Sequence, residues 1–296
     1  MSELLQLLAN GLVTGSIISI GAVGLTLVYG ILRIVNFAHG EYLTFGAFMA
    51  FLVNIGWGGP MVAAVGFAIL VTALLGVTLE FVLWRPMRRK AAGIISLFIT
   101  SIGLALVIRH LIFIEWGGQP RRYDIDVFQV YDLGMVRLSL SQIVAVTAAV
   151  AAIVLVGVML ARTLLGKSMR ALSDNPELAS VAGVDVDRVV VYTWILGAGL
   201  AGLGGVLQGL VQTSFNPNMG FTLLLPIFAA VILGGIGSPY GALAGGILLG
   251  MVMELSTWDA LAGGMRAVYK PAVAFALLIL VLLVRPQGVL GKARTV

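Results

Sequence analysis

The chain has no cysteine. This excludes a disulfide framework and a thiolate metal site, and it says nothing about redox compartment. Charge is scarce too. Asp, Glu, Lys and Arg together make up 10% of the 296 residues, against about 25% in an average soluble domain. So few charges could not cover the surface of a soluble protein of this length. A soluble enzyme, a disordered chain and a nucleic-acid-binding module are thereby excluded. No G-x-x-x-x-G-K-[ST] stretch occurs, so the chain does not bind ATP through a P-loop. The net charge of +5 and the pI near 9.7 are read as basic cytoplasmic loops of a membrane protein.

What the chain has in quantity is apolar sequence and glycine. Hydrophobic residues make up 60%, mean hydropathy is +1.07, and 38 residues are Gly. A bilayer-crossing helix needs about 20 apolar residues. No fixed charge lies between Leu4 and Leu32, Tyr42 and Leu79, Leu138 and Ala161, or Val189 and Met253. The last stretch is broken at 214–218 and at 234–239, where Asn, Gly and Pro cluster. Nine apolar segments follow: 11–32, 41–57, 61–84, 93–115, 141–161, 189–212, 221–236, 240–256 and 267–284. The expected fold is an all-α polytopic membrane protein of about eight to ten transmembrane helices in a single transmembrane domain spanning 1–296. No Lys or Arg precedes the first segment, so the first helix is expected to be retained rather than cleaved.

Loop charges give an orientation. Arg33, Arg85, Arg88, Arg89, Lys90, Arg162, Lys167, Arg170, Arg188, Arg285, Lys292 and Arg294 fall on one side if alternate loops are cytoplasmic, twelve of the 18 basic residues. The bias puts the N-terminus outside and the C-terminus in the cytoplasm. Trp57, Trp84, Trp116 and Trp258 fit interfacial anchors.

Asn36-Phe37-Ala38-His39-Gly40 and Asn216-Pro217-Asn218-Met219-Gly220 share the form Asn-x-x-x-Gly, and each follows a Gly-rich apolar helix. An odd number of crossings separates them, so the two copies point in opposite directions. This predicts an inverted repeat with discontinuous helices, with one half over about 5–116 and the other over about 189–284. Asn is a good N-cap, and Pro217 suits the first helical position. Free N–H groups at such a start need a partner or a wet cavity. A substrate carboxylate or polar head would serve, and so would burial against neighbouring helices; both readings stand.

Asn36, Phe37, His39, Gly40, Glu41, Asn216, Pro217 and Gly220 are therefore the candidate substrate-pathway residues. His39 and Glu41 are ionisable groups at membrane depth, which are costly and often functional. The competing reading puts both at the cytoplasmic end of the first hairpin, capping the second helix or pairing with Arg33. Glu80, Glu254, Arg109 and His110 lie near segment ends and are expected to snorkel or pair. The glycines from Gly197 to Gly209 are expected to let helices pack closely.

The cytoplasmic loop 162–188 carries a second candidate site. Asn175 reads as N-cap, Pro176 as the first helical residue, Glu177 as a first-turn acid and Gly183 as the C′ residue. A helix over 176–182 is about 10 Å long. It presents Leu178, Val181 and Ala182 on one face, suited to docking a soluble partner rather than lying on lipid.

Here the residues reach a family. Glu177-x-Ala179-x-x-x-Gly183 resembles the coupling-loop motif of bacterial ABC importer permeases, with Leu178 in place of the usual second Ala. The stretch from Val28 to Glu41 is similar to the first-hairpin signature of branched-chain amino acid permeases. So are Gly234-Gly235-Ile236-Gly237-Ser238-Pro239-Tyr240-Gly241-Ala242 and Arg285-Pro286-Gln287-Gly288-Val289-Leu290-Gly291. The resemblance, to the "H"-type subunit, runs through almost the whole chain. It implies ATP-driven import by alternating access, with Asn175, Pro176, Glu177, Leu178, Ala179, Val181 and Gly183 coupling to an ATPase. It implies a homologous second permease chain, two ATPase subunits that bind ATP and Mg, and a periplasmic or lipid-anchored substrate-binding protein. The chain itself would sit in membrane lipid, hold no cofactor or metal, bind no nucleic acid and catalyse no covalent reaction. Implied substrates are Leu, Ile and Val, with other amino acids, urea or short amides as alternatives. A passive aquaporin-like facilitator or an ion-coupled carrier using His39 and Glu41 are the competing mechanisms.

Overall fold

The computed structural model describes residues 2–125, 129–132, 134–260, 264–285 and 287–289. Pro286, Leu290, Gly291, Lys292 and Arg294 of the C-terminal motif and charge pattern lie outside the described residues. In a bilayer the backbone must satisfy its own polar groups, and helices do so within one segment. The apolar segments accordingly fold as helices α1 (Ser2–Leu32), α2 (His39–Phe51), α3 (Met61–Leu79), α5 (Ile94–Trp116), α6 (Leu140–Arg162), α9 (Val186–Gln212), α10 (Met219–Gly234), α11 (Pro239–Leu255) and α12 (Lys270–Val284). All nine expected segments are present. Among the described residues, six helices are long and apolar enough to cross a membrane.

Several elements exceed the expectation. The helix begun by α3 continues through a π-helical turn, Glu80–Trp84, into α4 (Arg85–Arg89). A short hairpin, β1 (Val130–Asp132) with β2 (Arg137–Ser139), precedes α6, which opens on a reciprocal Ser139/Gln142 capping box. The basic loop is itself helical, with α7 (Leu164–Asp174) and α8 (Pro176–Val181).

Packing repeats between the first and second parts of the chain. Helix α1 lies along α11, and α3 lies along α9; α10 lies on α1, and α2 lies on α9. Helix α2 touches α5, and α10 touches α12. Exchanging α1 with α9, α2 with α10, α3 with α11 and α5 with α12 maps each of these contacts onto another. The self-related contacts, α1 with α9 and α2 with α10, are also made.

Small residues line the seams. A Cβ added to Gly250 of α11 would lie 2.3 Å from Gly15 Cα of α1. At the meeting of α2 and α10 a Cβ on Gly220 would lie 1.9 Å from Gly40 O, and one on Gly40 would lie 2.5 Å from Gly220 O. The backbones touch there, and only glycine fits both positions.

Trp84 is not an interfacial anchor. It is fully buried, and its ring stacks on Trp194 at 6.1 Å with 9° between planes. The π-helical turn rotates it inward. We expect Gly220→Ala to lower the thermal midpoint of the purified protein by several degrees, the consequence of overpacking costing about 1–3 kcal/mol. Gly103→Ala, on α5 with nothing within 4 Å, should leave the midpoint unchanged or slightly raised. Equal melting of the two variants would contradict backbone contact at Gly40 and Gly220.

Candidate functional site

Two breaks build the site. After α1 the chain turns at Arg33, whose φ is +55°, and doubles back, so that His39 Nε2 donates to Gly21 O at 2.9 Å. Gly21 lies roughly 16 Å from the end of α1 at 1.5 Å per residue. Helix α2 therefore begins deep within the helix layer, not at the cytoplasmic end of a hairpin. The Asn36 carboxamide does not cap α2 directly. Its Oδ1 accepts from Ala38 N (3.1 Å), its carbonyl accepts from His39 N (3.2 Å), and Ala38 is the N-cap residue.

The second break repeats this geometry. Asn216 Oδ1 accepts from Asn218 N (2.9 Å), Asn216 O accepts from Met219 N (3.0 Å), and α10 starts at Met219. The expected Asn216 N-cap with Pro217 as first helical residue is thus corrected by two positions. An Asx turn competes successfully with direct capping, as Asn side chains do. Asn36 and Pro217 are buried; Asn216 is exposed; Phe37 is half-buried.

The half-helices meet N-terminus to N-terminus. Gly220 N donates to Thr44 Oγ1 at 2.9 Å, so one half-helix satisfies a free donor of the other. Each break also carries an aromatic cluster. Phe37 packs against Phe98 at 5.1 Å and Phe228 at 4.9 Å between ring centroids. Phe215 packs against Phe48 (5.3 Å) and Tyr123 (4.8 Å). A strap over 117–125 holds the second break. Arg121 and Phe215 exchange two backbone hydrogen bonds of 2.8 Å, and Tyr123 Oη donates to Ala47 O at 3.0 Å.

Glu41, 1% exposed, does not pair with Arg33. It pairs with Arg109 of α5, whose Nε lies 3.0 Å from Oε1. Arg33 instead donates to Ser173 O at 2.7 Å, tying the first break to α7. The Arg109 guanidinium also lies 4.6 Å from the ring centroid of Phe221, in the first turn of α10. Arg109 therefore bridges the starts of both half-helices. The sequence reading had Arg109 snorkelling or pairing, and it pairs; that its partner is Glu41 and that it joins the two breaks was not read from the sequence. Thr44 and Phe221 gave no signal at all. Glu80 and Glu254 pair as expected, with Arg88 and with Lys270. His110 is exposed and bonds its own helix at Leu106 O (2.7 Å).

The loop site is separate. Asn175 ends α7 and caps α8, accepting from Leu178 N at 3.0 Å, with Pro176 first in the helix. Ala179 is buried, whereas Leu178 is 65% and Val181 87% exposed. Glu177 is exposed too. Gly183 follows at φ +87°, and Val184 N closes the turn onto Ala179 O at 3.0 Å. Asp187, at the start of α9, pairs with Arg85 of α4. The residues around the two breaks and those of 175–183 thus form two separate groups, linked by Arg33–Ser173. No group of three or more His, Asp or Glu among the described residues could hold a metal ion.

Comparison with known proteins places this architecture. Residues 7–282 match the family described as branched-chain amino acid transport system / permease component. The chain is 34% identical to the high-affinity branched-chain amino acid transport system permease protein LivH of Escherichia coli strain K12, covering 97% of this chain and 96% of that one. It is 33% identical, at the same coverage, to the corresponding protein BraD of Pseudomonas aeruginosa. Among solved structures, PsaBC from Streptococcus pneumoniae in complex with Fab aligns at TM-score 0.49 and 14% identity, covering 94% of this chain and 91% of that one. The match over nearly the whole length, on a bundle of apolar helices, makes this chain a multi-pass membrane protein that belongs to the branched-chain amino acid transport permease family.

Proposed function

We propose that the chain is the membrane-spanning subunit of an ATP-driven importer that carries branched-chain amino acids by alternating access. The observation that carries this reading is the pairing of two features in one family member. Two half-helices abut at Gly40 and Gly220, and a short capped helix leaves Leu178 and Val181 unpartnered. The first is a junction that can part. The second is an apolar knob shaped for a groove on a soluble protein.

In this account the working partners are a homologous second permease chain, two ATPase subunits holding ATP and Mg, and a substrate-binding protein delivering from outside. The chain lies in the cytoplasmic membrane with its N-terminus outside, halves at about 5–116 and 189–284, and loop 162–188 in the cytoplasm. ATPase closure pushes α8. The push reaches α9 directly, α4 through Arg85–Asp187, and the first break through Ser173 and Arg33. Helices α2 and α10 then move apart, opening the route lined by Asn36, Phe37, His39, Gly40, Glu41, Asn216, Pro217 and Gly220. Covalent chemistry belongs to the ATPases alone.

Two outcomes are expected. Val181→Asp or Glu177→Arg, at exposed positions, should leave the melting of the isolated chain unchanged within about 0.5 kcal/mol. In the assembled transporter they should cut ATP hydrolysis stimulated by the loaded binding protein at least fivefold; unchanged stimulation would sink the docking role of α8. In vesicles depleted of ATP, leucine uptake should stop. Continued uptake at a comparable rate would instead identify a facilitator.

A further inference from the structure

The ion pair between Glu41 and Arg109 is only half made. A carboxylate has two oxygens and a guanidinium a fork of donors, so a tight pair uses both sides of each. Here Nε and Nη2 of Arg109 both go to Oε1 of Glu41. Oε2 is buried and has no partner among the described residues. Thr44, one turn along, brings its hydroxyl close to the Glu41 carboxyl, but it is a neutral group that also faces Gly40 O at 3.5 Å and accepts from Gly220 N, so the carboxylate is left without a second cation. Arg109 Nη1 makes no hydrogen bond among the described residues. One negative acceptor and one positive donor are therefore left over, side by side, where the two half-helices begin.

An α-amino acid at neutral pH is their counterpart. It is a zwitterion with an ammonium and a carboxylate on one carbon. We propose that Glu41 and Arg109 are the specificity-determining pair, with the ammonium taken by Glu41 Oε2 and the carboxylate by Arg109 Nη1. The Phe221 ring, 48% exposed beside Arg109, gives the aliphatic side chain an apolar wall. The proposal rests on the importer reading and assigns its recognition chemistry. The physical reason is charge balance. Parting a buried pair leaves two uncompensated charges, which is strongly unfavourable. A zwitterion compensates both at once. A neutral amide or urea compensates neither, and a plain carboxylic acid or amine leaves one bare. In its absence the pair closes on itself and holds the half-helices together.

The test uses the complete transporter in proteoliposomes. Wild-type uptake of leucine driven by ATP is the control for the importer reading, and its failure would strike that reading, not the pair. The double variant Glu41→Gln with Arg109→Met removes both charges together, so no unpaired charge is left to unfold the protein. The number of leucine molecules moved per ATP hydrolysed should fall at least tenfold; an unchanged ratio means the pair is structural and overturns the proposal. A second measurement does not depend on that variant. With Phe221→Cys in this cysteine-free chain, saturating leucine should slow maleimide labelling at least threefold, while leucinamide and 4-methylpentanoate should not. Equal labelling with and without leucine, or equal protection by all three, overturns it.

Discussion

The structure depends on one constraint: helix ends inside a membrane must find partners for their free backbone N–H groups. Two helices of this chain begin at depth, and their ends solve the problem together. Asn36 and Asn216 fold the residues that follow them into matching turns, and Thr44 takes the Gly220 N–H. The bond to Thr44 comes with backbones in contact, where only glycine fits at both 40 and 220. The seams of α1 with α11 and of α3 with α9 then act as a frame around the junction. The frame is broad and closely packed. The junction is narrow, polar and bridged by few groups. If any part of the bundle moves with modest energy, the junction is that part.

The scarce charges follow the same logic. Three pairs of them secure internal corners at a depth where isolated charges are costly: Glu41 with Arg109, Glu80 with Arg88, and Glu254 with Lys270. Others tie the loop region to the bundle, as Arg85 with Asp187 and Arg33 with Ser173 do. A push on α8 therefore meets a connected body. The end of α7 is tied to the break before α2 and the start of α9 to α4, while the exposed apolar face of α8 stays free for contact.

Much of this was legible in the sequence. Charge-free runs gave nine helices because hydrocarbon thickness leaves little freedom in length. The cap, proline and glycine of 175–183 gave α8 because each acts locally. The repeated Asn-x-x-x-Gly gave the breaks. What the sequence did not show was long-range. The pairing of Glu41 with Arg109 rather than Arg33 depends on where α5 packs, and no local rule states that. Trp84 was misjudged because a π-helical turn rotates it inward against Trp194. The helix starts at His39 and Met219 came later than expected because Asn side chains favour a turn over a direct cap.

The central claim is that transport requires α2 and α10 to separate. It is tested most directly with Phe37→Cys and Phe228→Cys together, whose native rings lie 4.9 Å apart, in the assembled transporter. Bridging the two thiols with a short bis-methanethiosulfonate, a spacer that takes the place of the two contacting rings, should abolish ATP-driven leucine uptake, and reduction should restore it. Full uptake with the cross-link intact would contradict the account.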